Sequence, residues 1–558
     1  MNTAKIVIPA VIIAGALVYL GPSKSFKKAK PHGPRIGIGI VVDQFAYHHL
    51  QRVRPHLKGG LKKLLDDGIF FENASFPHGR PSTSTGHAGI STGAYAQAHG
   101  IVDNRWTDET GKIIESIEDG NESGVFALDG KTYDFGASSK NLVTDTFSDQ
   151  FMLSQKPGQS TKVFAFSLKD RSAILLAGKR GKALWMDSNN GLLTSSKAYF
   201  EKLPDWVKKF NISHAIRRGM TFEYKYPHPL DSPAYNFRDA TNYKFSLLGK
   251  TIIGKKITVP FKSPHAYSEI RATNYVDRFV FKAAKQCIEE NFTDGQDDKL
   301  FIWLSLSALD FAGHMFGPDS REAANIIYHI DEELDKLIQL VHSKVSPAKS
   351  LFLLTGDHGV MPIPEVLAAA GLTNAHRITS GDVVKHMNEI AEKESSIKEL
   401  VKLFSTPFFY FNDVEFNKLK DTMRESVYQK LIGYLESLPG VRRVLTREEM
   451  EKITDVEDPH VLLLKKQHYR GRGADLTCVV DPHFLLTPYS TGTSHATPYF
   501  YDRHVPLVVW QRGVREKQIH SQPVSMLQVA GSLAHAFGVP KPSASEEPLL
   551  PGFYTAAG

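Results

Sequence analysis

The chain predicts an α/β fold: a mostly parallel central sheet flanked by helices on both faces, with cap insertions. Three observations predict it. Residues Ile36–Val42 (Ile-Gly-Ile-Gly-Ile-Val-Val) are apolar or glycine throughout, as in a parallel strand covered by helices on both sides. Two more apolar runs, Phe301–Leu306 and Ser350–Leu354, lie close before polar motifs, as strands do when their carboxyl ends carry a site. A helical pattern separates those two runs, which completes a strand, motif, helix rhythm.

Residues 1–30 come first and stand apart. Ile6–Leu20 is an uninterrupted 15-residue uncharged stretch preceded by Lys5, shorter than the roughly 20 residues of a membrane span and suited to a secretory signal. No small-x-small cleavage site follows, and Lys24, Lys27, Lys28 and Lys30 form a basic linker. The segment reads as a signal peptide or an uncleaved signal anchor. Export to the periplasm or the exterior is expected, with membrane anchoring through residues 6–20 if cleavage fails. The four lysines alone would favour keeping their flank in the cytoplasm.

Residues 34–558 then read as one domain. After the strand at 36–42, Leu57–Leu65 has helical character and Gly68–Phe71 resumes an extended run. Residues 107–160 and 186–290 are polar and rich in Gly, Asn, Ser and Tyr, and lack the strand-helix rhythm. They are expected to be insertions that cap the sheet. Asp319–Glu322 reads as a capping box opening a helix whose Ile326, Ile327, Ile330, Leu334, Leu337, Ile338 and Val341 recur at helical spacing. A third insertion is expected at 375–480, with amphipathic helices over Ile390–Phe404 and Ser426–Leu438 and an extended piece at Val461–Leu464.

Composition bounds the function classes. With 42% hydrophobic residues in 558, the chain has material for a large core. Its 67 basic and 60 acidic residues give +7, and no Lys/Arg tract interleaved with aromatics marks a nucleic-acid groove. Nucleic acid is therefore not an expected partner. Cys287 and Cys478 lie far apart and form no zinc-ribbon spacing; buried thiols are expected.

The motifs that carry chemistry stand near the strand ends. Asp43 follows the first strand, Asp310 and His314 are four apart, and Asp357 and His358 adjoin between Gly356 and Gly359, with His495 in Gly492-Thr-Ser-His. Any one of these alone is more often a cap or turn residue. Together, Asp and His at these spacings suit a pair of zinc ions, although manganese or iron accept the same ligands. A helical turn would bring Asp310 and His314 onto one face, and the flanking glycines would let Asp357 and His358 share a sharp turn.

The segment Arg80–Ala88 offers Ser82, Thr83, Ser84 and Thr85 before Gly86-His87. A hydroxyl at a loop-to-helix start can be a metal ligand and a nucleophile, or simply an N-cap. Spacing alone does not choose among the four.

These residues resemble the alkaline phosphatase superfamily, specifically bacterial alkaline phosphatases with a threonine nucleophile, which are related to nucleotide pyrophosphatase/phosphodiesterases. The resemblance covers roughly residues 36–110, 161–187, 300–360 and 485–510. In that family the nucleophile stands four residues before the His, which selects Thr83, and Ser91-Thr-Gly and Ala98-His-Gly-Ile-Val-Asp-Asn104 match the following segments.

The resemblance implies an alkaline phosphatase-like catalytic domain with two Zn2+. Asp43, Thr83, Asp357 and His358 would ligate one ion, and Asp310, His314 and His495 the other. Asn104 would contact phosphate, as would Lys169 and Arg171 in Ser167-Leu-Lys-Asp-Arg, which is similar to the Lys-x-Arg pair of the phosphomonoesterase branch. The implied activity is hydrolysis of a small phosphate monoester through a phosphothreonine. Two departures from the family pattern are Ser84-Thr85 after the nucleophile and Ala496, where relatives commonly have Gly.

The rival readings are a nucleotide pyrophosphatase/phosphodiesterase and, from another class, a catalytically silent binding protein of the same fold. A silent relative is expected to lack a ligand, and all seven expected donors are present.

Overall fold

The computed structural model describes residues 33–553 apart from 121–122, 129–135, 230, 236–253, 263–265, 268–269, 294–297 and 455–456. The expected signal segment, Ile6–Leu20 with its basic linker, lies outside the described residues. Among the described residues no helix is long and apolar enough to cross a membrane.

Along the chain, β1 (Ile36–Val42), α1 (Gly60–Asp67), β2 (Ile69–Ser75) and α2 (Thr83–Thr92) come first. Next are β3 (Thr161–Ser167), α3 (Asp170–Ala177), β4 (Lys182–Met186) and β5 (Leu193–Thr194). They are followed by α4 (Asn274–Asn291), β6 (Lys299–Leu306), α5 (Ala308–Phe316), α6 (Arg321–Lys344) and β7 (Ser350–Gly356). The sheet is completed by β8 (His504–Trp510), β9 (Gln518–His520) and β10 (Val524–Ser525), with α7 (Gln528–Phe537) behind it.

The ten strands form one sheet in the order β9-β2-β8-β7-β1-β6-β3-β4-β5, with β10 also paired to β2. Its centre is parallel: Ile38 of β1 faces Ile302 of β6 on one side and Phe352 of β7 on the other. The Ile-Gly alternation of β1 follows from its neighbours. Ile36, Ile38 and Ile40 pack in the apolar layer formed with α4 and α6. On the opposite face, a Cβ at Gly37 or Gly39 would meet the Phe301 or Trp303 ring at 2.3 or 2.2 Å, so glycine leaves room for those rings beneath α2, α3 and α7. The mostly parallel, two-sided sheet expected from the sequence is therefore present.

Some local expectations change. The long helix α6 is capped by Ser320, whose hydroxyl accepts from the Ala323 N–H at 3.1 Å, rather than by Asp319. The polar stretch 186–290 ends in the 18-residue α4, whose Val276, Val280, Ala283 and Cys287 are buried in the core. The stretch 376–487 holds its own apolar cluster, built on an antiparallel sheet of Val401–Ser405, Phe408–Phe411, Leu476–Val480 and Val441–Thr446.

Within that unit, the helix expected over Ile390–Phe404 instead spans Ser380–Ser395 and ends where Ser396 turns left-handed (φ 63°), giving way to the strand at 401. Val461–Leu464, expected to be extended, lies in the helix Pro459–Gln467. Asp458 caps that helix by accepting from the His460 N–H at 2.8 Å. Both cysteines are buried and free.

Candidate active site

Strands β3, β6, β1 and β7 are neighbours, and their carboxyl ends lead respectively to Lys169, Asp310, Asp43 and Asp357. This crevice at parallel strand ends is where open α/β sheets hold ligands. Helix α5 puts Asp310 and His314 on one face as its spacing predicts, with His314 Nε2 3.1 Å from Asp310 Oδ1. Its first turn is held by Asp277 of α4, whose carboxylate accepts from the N–H groups of Ser307 (3.0 Å) and Ala308 (3.2 Å).

Asp357 and His358 share a tight turn because their flanking glycines let other chains close in. A Cβ on Gly356 would lie 2.8 Å from the Phe45 carbonyl, and one on Gly359 would lie 2.1 Å from that of Tyr501. His495 arrives on the loop before β8, and Ala496 beside it has φ +98°, a left-handed conformation that suits glycine better than alanine.

Three imidazoles converge. His358, His314 and His495 each direct Nδ1 at a backbone carbonyl, those of Gly359 (2.9 Å), Thr493 (2.8 Å) and Pro81 (2.9 Å). A carbonyl only accepts, so each Nδ1 carries a proton and each Nε2 is turned inward, where the neutral imidazole offers the lone pair a metal requires.

The inward atoms form two groups, Asp310, His314 and His495, and Asp43, Asp310 and His358, with ligand atoms within 4.8 Å in each. Asp310 joins both groups, whereas the expected division placed it with His314 and His495 alone. Asp357 Oδ2 stands 3.6 Å from His358 Nε2. The buried atoms Asp43 Oδ1, Asp357 Oδ2 and His358 Nε2 have no hydrogen-bond partner among the described residues. Orphaned acceptors of this kind are costly in a protein interior, and the donor set fits a metal site.

Electrostatics points the same way. Three buried carboxylates face one ammonium, Lys169, whose Nζ lies 2.6 Å from Asp43 Oδ2 and 2.7 Å from Asp310 Oδ2. Burial, together with the neighbouring Asp310 and Asp357 charges, raises the Asp43 pKa well above the carboxylate range. Burial acts to raise Asp310 too, but Lys169 and His314 outweigh it and hold it well below that range. The cluster is thus short of positive charge.

The four hydroxyls separate by their partners. Ser82 is the N-cap of α2, and its N–H donates to Thr85 Oγ1 at 3.0 Å; Ser84 Oγ lies 2.8 Å from Ser116 Oγ. Only Thr83 turns toward the cluster, with Oγ1 3.4 Å from Lys169 Nζ. His87 braces it: Nδ1 donates to the Thr83 carbonyl at 2.7 Å and lies 3.3 Å from Asp357, and Nε2 sits 2.9 Å from the Ser305 hydroxyl. Asn104 stands at the same helix start, its Oδ1 accepting from the Ser84 N–H at 3.0 Å. Arg171 is further out and lines a cleft beside Lys169. The expected residues are thus gathered, with Lys169 on carboxylates and Arg171 at the rim.

Besides Asp277, sequence reasoning missed Gln44 and Arg80. Gln44, at φ +66°, donates from its backbone N–H to Asp357 Oδ1 (3.0 Å) and from Nε2 to Asp310 Oδ1 (2.8 Å), tying the two acids together. Its one signal in the sequence is its position directly after the strand-end Asp43. Arg80, just before the hydroxyl segment, forms a buried ion pair with Asp103. From the 376–487 unit, the Ser405 hydroxyl and the Thr406 carbonyl accept from Arg80 at 2.8 and 2.6 Å, and Gln467 Oε1 accepts from its N–H at 2.7 Å.

Residues 38–506 match the sequence model of the type I phosphodiesterase / nucleotide pyrophosphatase family. The chain is 26% identical to the alkaline phosphatase PhoV of Synechococcus elongatus, covering 92% of this chain and 91% of that one. It is also 26% identical to the alkaline phosphatase PafA of Elizabethkingia meningoseptica, covering 96% and 97%. The crystal structure of wild-type PafA superposes with a TM-score of 0.80 at 24% identity over 94% of this chain and 99% of that chain, which shows the shared fold.

Proposed function

We infer the activity from the premise that this chain belongs to the type I phosphodiesterase / nucleotide pyrophosphatase family: it is a phosphoric monoester hydrolase of the alkaline phosphatase type. Relatives named alkaline phosphatases that span nearly its whole length support the reaction class. The observation that carries the reading is that Thr83 alone of four neighbouring hydroxyls faces a buried cluster of carboxylates and imidazoles, beside an ammonium.

Two divalent cations, zinc by ligand type, would be held by Asp43, Thr83, Asp357 and His358 on one side and Asp310, His314 and His495 on the other. Such ions, when bound, lower the pKa of a hydroxyl and neutralise charge on phosphoryl oxygens.

The chain's own residues do the rest. The start of α2 fixes Thr83 so that Oγ1 attacks phosphorus; the ester oxygen departs as the alcohol, and water then cleaves the phosphothreonine to release phosphate. Lys169 Nζ, 3.4 Å from Thr83 Oγ1, is placed to meet an oxygen of the transferred phosphoryl group. The Asn104 oxygen is committed to Ser84, so its NH2 end is the one that can donate to phosphate. Arg171 would supply a bidentate fork from the rim. A monoester dianion exploits these cations more fully than a diester, which brings one charge fewer.

The test is a panel of aryl phosphate mono- and diesters with Thr83→Ala and with the double variant Lys169→Ala/Arg171→Ala. We expect the first to lose turnover and the trapped phosphoenzyme, and the second to lose far more on monoesters than on diesters. Equal losses on both ester classes would remove the monoesterase reading. Zinc content, with loss of turnover on chelation, separates the enzyme from a silent binding protein.

A further inference from the structure

A cleft of about 390 Å³ opens beside Lys169 and is walled by Arg171, Trp185, Asp187, Arg271 and Phe311, a size typical of small-molecule sites. Two of its cations have buried guanidinium nitrogens that lack acceptors among the described residues: Nε of Arg171 and Nε of Arg271. Among the described residues neither makes a side-chain ion pair within 4 Å. Arg271 lies on the short turn Ile270–Ala272 before α4, and its guanidinium carbon sits 5.1 Å from the centroid of the Phe311 ring. Lys169 Nζ is 5.2 Å from the same ring, and Phe311 adjoins Asp310. One aromatic ring therefore links the ammonium near the nucleophile to a cation in the cleft.

The acids on the cleft wall are engaged locally. Asp187 accepts from the Asn189 N–H (2.8 Å) and from Asn190 Nδ2 (2.6 Å), and Asp170 accepts from the Arg171 N–H (2.7 Å). Stacking on Phe311 offsets only part of the cost of desolvating the Arg271 guanidinium, and an anion from a ligand would offset the rest.

We propose that this cleft is the leaving-group subsite and that Arg271, held on Phe311, binds a second oxyanion, a phosphate or a carboxylate, carried by the leaving group. The proposal rests on the monoesterase reading and narrows it to small substrates with two anionic ends, with Arg271 as a specificity-determining residue.

The experiment compares 3-hydroxypropyl phosphate with propane-1,3-diyl bisphosphate and 3-phosphonooxypropanoate on the metal-loaded enzyme, its Arg271→Gln variant and its Arg271→Lys variant. In wild type, kcat/KM is expected to be about tenfold higher for a doubly anionic substrate, the scale of one charge-assisted contact. Arg271→Gln should erase that preference while changing kcat/KM on 3-hydroxypropyl phosphate and the inhibition constant of inorganic phosphate by less than about twofold, and Arg271→Lys should keep part of the preference. Whether the bisphosphate or the carboxylate shows the drop identifies the anion.

Equal loss on all three substrates, or no wild-type preference, overturns the subsite. If wild type turns over none of the three yet cleaves bis(4-nitrophenyl) phosphate, the monoesterase reading fails and the subsite fails with it, an outcome distinct from the first.

Discussion

Asp43, Asp357 and His358 stand at the ends of β1 and β7 with no exposed side-chain surface, whereas Asp310, His314 and His495 stand on a helix and a loop, with 28% of the His314 side chain open to solvent. The first group is fixed by strand pairing in the most buried part of the sheet. The second is fixed by helix capping and a loop, and Gln44 ties it to the first. A cluster built this way joins a rigid side next to Thr83 to a side that solvent and departing groups can reach.

The largest difference between the two sides is expected at Asp43. Asp43→Asn removes a charge from the closed side, and we expect a loss of turnover of about 1,000-fold or more together with a lower bound-metal content. His314→Ala should cost less and recover with added metal. If the two behave alike when metal is titrated back, the two sides do not differ as their burial suggests.

Gln44→Leu comes next, because it deletes the 2.8 Å bond to Asp310 and keeps the backbone bond to Asp357. Supports of this kind are worth about 10- to 100-fold in metal affinity or activity. We expect a loss in that range, confined in metal titrations to the weaker ion.

A smaller effect lies under the open side. Burial pushes Asp277 up to about 7, against the backbone hydrogen bonds it accepts from Ala308 and Ser307. A carboxyl ordinarily titrates near 4, so between about pH 4 and pH 7 the unfolded chain gives up a proton that the folded chain keeps, and stability falls as pH rises through that window. Asp277→Asn retains an acceptor for the first turn of α5 and removes this penalty. Its melting temperature relative to wild type should therefore rise from pH 5 to pH 8; a constant offset would contradict the assignment.

The smallest effect is expected at Ala496→Gly, which relieves the φ of +98° next to His495. A gain of about 1 kcal/mol in unfolding free energy is expected, with metal affinity unchanged.

How much of this was legible in the chain depended on whether the cause was local. Asp310 and His314 share a helical face, and Asp357 and His358 share a turn, because short-range geometry dictates it. The Ile-Gly alternation of β1 marked a strand, although the aromatic rings that require those glycines come from a partner strand some 260 residues later.

Val461–Leu464 misled because a four-residue apolar run fits helix and strand alike; Asp458 with Pro459 at the first helical position decided for helix. Ile390–Phe404 misled because the apolar spacing ran on past the left-handed turn at Ser396. Gln44, Asp277 and Arg271 could not be read from spacing, since each acts on groups brought close only by folding. Among the four hydroxyls, Thr83 followed from family resemblance alone until Ser82, Ser84 and Thr85 were seen to have other partners.

The grip of Ser405, Thr406 and Gln467 on Arg80 bears on protein engineering. The 376–487 unit has its own apolar cluster and resembles a detachable module. Excising it would remove these three contacts to Arg80 and leave only the Asp103 carboxylate to tether the segment ahead of Thr83. A trimmed catalyst made by deleting this lobe should fold around a slack nucleophile, so miniaturisation would have to begin elsewhere, or rebuild that anchorage first.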